Sequence, residues 1–310
     1  DLHFLSVPEL LVQEFPVQVP LIDRFLWPKD TVMLVGGEKS GKTILSMQMG
    51  LSLAGQVPFL GLYEVPQSVQ VAYIHTEGRW EQTQEWIRRL IRHYPDADYS
   101  NFFYRNYPFL KINHPQGFQQ LIAELKEKNL SPKVFIFDSL YHMEEAARKV
   151  TEIFRHLSHT FDAAIIFNHH NHRPKRNEKT KEVIDEGDES VMGSFVWKAH
   201  ADSTLLLKMN KHTKRATLTC ETQRAALVET SIKLILEQPD PLGFALDDAD
   251  SQTAVLNSLR QTPMQDADAL SKLLKMPKRT VYYAIGKLIT RQHISEHQNG
   301  SQAACYSVCP

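Results

Sequence analysis

The stretch TVMLVGGEKSGKT, residues 31–43, restricts the possible folds of this chain more than any other. An apolar run long enough for a buried strand ends in Gly36. Gly36, four further residues, then Gly41-Lys42-Thr43 fit the pattern G-x-x-x-x-G-K-[ST] ahead of a helical segment. The glycines let successive backbone N–H groups turn inward around phosphate oxygens, and a helix starting at Lys42 points the positive end of its dipole at the same spot. The cradle runs through Gly37, Glu38, Lys39, Ser40, Gly41, Lys42, Thr43 and Ile44, with Lys42 as a point charge and Thr43 as a hydroxyl for a phosphate-bound Mg²⁺. The expectation is a nucleotide site at one edge of a parallel sheet. Whether the nucleotide serves a switch, a transfer or mechanical work is left open by the loop.

The remaining strands are read from VQVAYIHTE, KVFIFDSL, AAIIFNHH and DSTLLLKM. Each run is apolar without alternation, as for strands covered on both faces. Helical patterns over residues 42–54, 79–93, 115–129 and 146–159 lie between strands, so the expected class is an α/β fold, a mostly parallel sheet flanked by helices. A Pro- and Asp-rich stretch, EQPDPLGFALDDADSQ, precedes a change to short helices. The expected division is an N-terminal lead-in over 1–30, a core over 31–240, a linker over 241–251 and a small unit over 252–310.

Two carboxylates stand at strand ends. Asp138 closes VFIFD, where it would meet the metal of a phosphate loop; the alternative is a plain helix cap. Glu77 follows VAYIHT and suits a base for the attacking water; the alternative is ordinary acidic charge at a helix start.

The order P-loop, strand-TEG, strand-DSL, strand-NHH resembles the RecA-type ATPase core, and its details are most similar to the RepA-like hexameric helicase branch. The resemblance spans residues 21–224 and includes the lead-in LIDRFLWPKD. It implies ATP and Mg²⁺ as cofactors, Glu77 as catalytic base and Asp138 as metal ligand. It also implies that His169, ending the NHH strand, senses the γ-phosphate; a structural histidine and a metal ligand are the competing readings.

After that strand comes RPKRNEKTKEVIDEGDES, basic then acidic. In the resembled family the loops after these strands meet single-stranded DNA in a central channel, which makes Arg173, Lys175 and Arg176, with Lys179 and Lys181, candidate phosphate contacts; a solvated charge run is the alternative. ATLTCETQR then presents Arg224 where relatives often carry Lys-x-Arg reaching a neighbouring subunit's nucleotide; here the arginine matches and the lysine is absent. An arginine acting in trans requires a homo-oligomer, and the resemblance implies a hexamer.

The C-terminal unit reads as three helical segments and a hairpin turning at Asn299-Gly300, the outline of a winged helix. Val281, Ile285, Leu288 and Ile289 share one helical face, leaving Lys278, Arg279, Thr280, Tyr283 and Lys287 as candidates to face a DNA groove. Residues 252–310 hold seven Lys or Arg against three Asp or Glu, whereas the whole chain is near neutral at −1. Winged helices also serve as protein-contact modules, so both partners stay open.

The 310 residues suit one large and one small unit, and their neutral balance shows no global field for nucleic acid. Three cysteines without paired spacing argue against a disulfide framework, and no run reaches the roughly 18 apolar residues of a membrane span. The expectation is a soluble, cytoplasmic protein whose start, lacking an initiator Met, is trimmed. Nothing resembles the acceptor site or lid of a small-molecule kinase. Two function classes follow: an oligomeric DNA motor hydrolysing ATP, and a regulatory or recombinase-like ATPase whose nucleotide state controls assembly on DNA or a protein without unwinding.

Overall fold

The computed structural model describes residues 4–15, 17–23, 25–107, 115–139, 147–170, 197, 200–223, 231–247, 251–274, 276, 278–290, 292–297 and 304–309. Strand β1 (Thr31–Gly36) lies at the centre of a nine-stranded sheet. Beside it run β5 (Ala164–His170) and β6 (Ser203–Met209), both parallel to it, with Val35 opposite His169 and Leu206. Outward from β5 come β4 (Val134–Asp138), β2 (Val71–His75) and the edge strand β3 (Phe102–Asn106), all parallel. On the other side β7 (Arg215–Gln223), β8 (Ser231–Glu237) and β9 (Gly243–Leu246) continue antiparallel. The expected parallel sheet is thus present with an antiparallel extension, and β9 falls inside the stretch read as linker.

Alternation along the strands builds a separate core on each face. One face joins Val32, Leu34, Tyr73, Ile136 and Ile166 to Leu45, Met49 and Leu53 of α2 (Lys42–Gly55). The other joins Met33, Val35, Phe135, Phe137, Ile165 and Phe167 to α4 (Pro115–Glu127) and α5 (Ala147–Phe161) through Leu121, Leu125, Val150, Phe154 and Leu157. Phe154 stacks on Phe137 at 5.0 Å between ring centroids, a geometry worth about 0.5–1.5 kcal/mol beyond the area it buries. Helix α3 (Trp80–Leu90) continues into a short 3-10 turn, Ile91–His93, and buries only Thr83 and Leu90.

Helix α2 is buried nearly all round because the far end of the sheet returns to cover it. The Gln48 side chain accepts from Phe244 N and donates to Phe244 O, both at 2.8 Å, and so pins β9 to α2. The short helix α1 (Val7–Val12) starts with a Ser6/Glu9 capping box and buries none of its residues. Among the described residues no helix is long and apolar enough to cross a membrane.

Residues 251–309 hold α6 (Ser251–Gln261), α7 (Ala267–Leu273), α8 (Lys278–Thr290) and a three-stranded sheet in the order β10 (Gln265–Asp266), β12 (Cys305–Val308), β11 (Ile294–His297). Val255, Leu259, Leu270, Val281, Ile285, Leu288 and Tyr306 form its own core. The unit touches the large sheet domain through Arg260, whose guanidinium donates to Gly61 O and, at 3.4 Å, to Leu62 O.

At the strand-start edge two carboxylates fix the β1–β6 register. Asp30 accepts from Trp27 N at 2.9 Å and Asp202 accepts from Thr31 N at 2.9 Å. Burial pushes the Asp30 carboxyl up from 3.8 to about 6; the Trp27 bond opposes this and Asp202 adds to it. A carboxyl whose folded value lies above its unfolded one contributes stability below the unfolded value, and that contribution is lost as pH rises through the folded one. Asp30→Asn, which has nothing to ionise, is expected to gain on the wild type by about 1–3 kcal/mol between pH 4 and pH 7 in urea unfolding. A constant difference across that range would contradict this account.

Candidate active site

The phosphate loop leaves β1 at Gly36 and enters α2 with no side-chain cap. Lys39 and Gly41 take left-handed backbone angles, φ 59° and 92°. A methyl group on Gly36 would lie 2.6 Å from Leu207 O, and one on Gly41 2.7 Å from Phe244 Cζ, so the loop has room for backbone only. Inside it the Lys42 ammonium donates to Gly36 O at 2.7 Å and Gly37 O at 3.0 Å. Burial pulls Lys42 down from 10.5 to about 8, against the upward pull of Asp138, Glu77 and Glu38. The Ser40 hydroxyl is buried without a hydrogen-bond partner among the described residues. A hydroxyl in need of a partner, a backbone-lined cradle and a buried cation fit a nucleotide's phosphates. Glu38 and Lys39 are exposed, Thr43 is half-buried and Ile44 is buried on α2.

Asp138 ends β4 on the α2 face and is 4 % exposed. Its Oδ2 accepts from Tyr73 OH at 2.7 Å and its Oδ1 from Asn168 Nδ2 at 2.7 Å. Glu77 stands just beyond β2, exposed, with its Oε1 accepting from Ser139 Oγ at 2.7 Å. The loop carrying it is tied on both sides: Thr76 N donates to Asp138 O at 2.7 Å, Ser139 N to Thr76 Oγ1 at 3.1 Å, and Asn106 Nδ2 to Gly78 O at 2.7 Å. His75 lies beneath, its Nδ1 3.1 Å from Tyr104 OH and its Nε2 3.7 Å from Asp138 Oδ2. Burial lowers its basicity, opposed by Asp138 and Glu77. Gly78 closes over the imidazole, where a methyl would meet Cε1 at 2.1 Å.

Lys42, Thr43, Glu77 and Asp138 thus share one sheet edge. His169 does not join them directly. It points to the α5 face, against Trp197 at 6.2 Å between ring centroids, while its neighbour Asn168 turns toward α2 and Asp138. Tyr73 and Asn168 are missing from the sequence reading, although strand parity links both to Asp138 and would find them.

Arg224, Arg173, Lys175, Arg176, Lys179 and Lys181 lie outside the described residues. Gln223, which precedes Arg224, pairs with Ser203 at the strand-start edge, whereas the phosphate loop sits toward the opposite edge beside Leu207. Ser203 and Leu207 both belong to β6, and the chain between them spans about 13 Å when extended. In α8 Lys278 is engaged by Asp268 Oδ2 at 2.7 Å, Arg279 shares the same first turn, and Lys287 is exposed in the last turn. The described residues contain no cluster of three His, Cys, Asp or Glu able to hold a metal ion.

A family model for the AAA domain matches residues 2–175, more than half of the chain. No curated protein matches the sequence. Among solved structures, the ATPase domain of a helicase aligns with a TM-score of 0.50 at 11% identity, over 71% of this chain and 85% of that one. The RadB recombinase aligns with a TM-score of 0.48 at 18% identity, over 71% and 91%. The large sheet with its flanking helices is accordingly RecA-like in fold. The chain belongs to the AAA domain family, and with this phosphate loop it is an ATP hydrolase.

Proposed function

We propose that the protein is an Mg²⁺-dependent ATPase that works on DNA as a ring-shaped oligomer, a motor of the RepA-like helicase kind. The observation that carries this reading is the Ser139 to Glu77 bond of 2.7 Å, which yokes an exposed carboxylate to the strand end that bears Asp138. When bound, ATP supplies the γ-phosphoryl group and Mg²⁺ neutralises charge on its oxygens. The backbone from Gly37 to Ile44 holds the phosphates, and Lys42 exchanges its two carbonyl partners for phosphate oxygens. Thr43 and Asp138 hold the metal. Glu77 accepts the proton of the attacking water. His169, packed on Trp197, carries the state of the site toward the segment after β5, where Arg173, Lys175 and Arg176 meet single-stranded DNA.

Arg224 serves a neighbouring subunit in this reading. Support comes from Gln223, whose position at the edge away from its own phosphate loop makes a role at its own site hard to reach. The C-terminal unit is then a winged helix that uses Lys278, Arg279 and Lys287 on duplex DNA during loading; its order of three helices and a small antiparallel sheet favours that outline. A hexamer is the assembly proposed.

One observation favours the second reading, a regulatory ATPase that assembles on a protein partner. In the C-terminal unit Leu273 and Tyr282 are 60% and 55% exposed, while Lys278 is occupied by Asp268. Exposed apolar side chains of this kind suit a protein partner better than phosphates.

Glu77→Gln is expected to bind a fluorescent ATP analogue as the wild type does and to hydrolyse ATP at least about 100-fold more slowly; a rate within a few-fold of wild type removes Glu77 as the base. Arg224→Ala is expected to abolish hydrolysis at assembling concentrations and to be restored in part by mixing with Glu77→Gln subunits, which supply the arginine. Absence of any change in Arg224→Ala rules out the finger. ATPase rates with single- and double-stranded DNA, run beside strand displacement from a forked duplex, separate the two readings. Strong stimulation with displacement is the outcome expected of the motor, ATP-dependent DNA or protein binding without displacement is that of the regulator, and no effect of DNA defeats the motor.

A further inference from the structure

Between α2 and Asp138 lies a buried polar quartet in an otherwise apolar core. Tyr73, Ser46 and Asn168 are fully buried and Asp138 is nearly so. Asn168 Nδ2 donates to Asp138 Oδ1 at 2.7 Å and to Ser46 Oγ at 3.0 Å. Tyr73 OH donates to Asp138 Oδ2 at 2.7 Å and lies 3.1 Å from Ser46 Oγ. Ser46 Oγ in turn lies 3.2 Å from Thr43 O, so the quartet joins the first turn of α2 to the end of β4. A buried hydroxyl and amide at these positions cost free energy unless their bonds are made, and here each serves the same carboxylate. The Tyr73 ring packs between Phe102 and Tyr104, at 5.8 and 6.0 Å between centroids, so a phenylalanine would pack in its place without a hydroxyl to satisfy. Burial and the Asp138 charge keep the phenol protonated, hence a donor.

A carboxylate turns easily about its last bond, because that torsion has broad minima. One donor on each oxygen removes the freedom and sets the direction of the lone pairs that remain. We propose that Tyr73 and Asn168 are positioning residues for metal binding: they fix the Asp138 carboxylate plane and, through Ser46, its distance from Thr43. The inference rests on the reading that Asp138 and Thr43 hold the nucleotide's metal. Partners of this kind around a metal ligand typically change metal affinity by about 10–100-fold when removed.

The test is Mn²⁺ binding to the ADP-loaded full chain, followed by electron paramagnetic resonance, in Tyr73→Phe, Asp138→Asn and the double variant. Tyr73→Phe is expected to weaken Mn²⁺ binding about tenfold, to leave ADP binding in EDTA within about twofold, and to have no further effect once Asp138 is Asn. Asn168→Ala removes the other donor and is expected to weaken Mn²⁺ binding similarly, so a failure of Tyr73→Phe to fold leaves the question decidable. Unchanged Mn²⁺ affinity in Tyr73→Phe and Asn168→Ala, alongside a loss in Asp138→Asn, overturns the inference and spares the metal reading. An equal loss with Asp138 and with Asn at that position also overturns it, since the effect then bypasses the carboxylate. Unchanged affinity in Asp138→Asn overturns the inference together with the metal reading.

Discussion

The buried ammonium of Lys42 is the constraint around which the site is organised. At 5 % exposure it has given up most of its hydration, which is why burial pulls it down to about 8. Two loop carbonyls satisfy its protons and three carboxylates, Asp138, Glu77 and Glu38, offset its charge. A buried cation without such compensation would be prohibitive. The sheet order supplies it. With β5 alone between β1 and β4, Asp138 comes within range of the loop, and β2 beside β4 brings Glu77 to the same edge. The acidic groups therefore have a structural use in holding the loop's cation as well as a chemical one once phosphates arrive.

Close approach of backbone makes the same demand from the other side. Gly36 lies against Leu207 O and Gly41 against Phe244, so β6 and β9 wall the loop where a side chain would otherwise stand. Gln48 holds that wall by its paired bonds to Phe244 N and O, across a sequence separation of 196 residues. The antiparallel end of the sheet is thus part of the loop's support and not a peripheral addition.

The same division decides what can be read from the chain alone. The phosphate loop, Asp138 and the parallel strands are legible because each is a local signature: glycine spacing, or an unbroken apolar run ending in a polar residue. The four expected helices coincide with α2, α3, α4 and α5 to within a few residues at their ends. Strand β3, FFYRN, goes unread because it is short and only half-buried at the sheet edge, and β9 is hidden by the prolines and aspartates around it. At the site, the NHH ending of β5 draws attention to a histidine, whereas parity with Ile166 turns Asn168 toward α2 and leaves His169 with Ile165 and Phe167 on the other face. The pairing of Tyr73 with Asp138, 65 residues later, depends on strand order, which no local pattern carries.

The bonds also divide the active edge into two bodies. Thr76, Glu77, Asp138 and Ser139 are joined by hydrogen bonds between the ends of β2 and β4, and Asn106 adds another from β3, so the expected base and the carboxylate move together. The phosphate loop and α2 form the other body, fixed to β9 by Gln48. Direct polar contact between the bodies runs through Ser46, to Tyr73 and to Asn168. A change in what the loop holds would therefore act on the relation between α2 and the β2–β4 pair, rather than on the spacing of Glu77 and Asp138. Helix α3 follows directly from Glu77, with Trp80 set edge-on against Tyr104 at 5.2 Å, so displacement of the β2–β4 pair carries α3 and its exposed Arg88 with it. The edge that holds phosphate is in this way continuous with a charged outer surface, the arrangement a nucleotide-driven machine requires of a subunit.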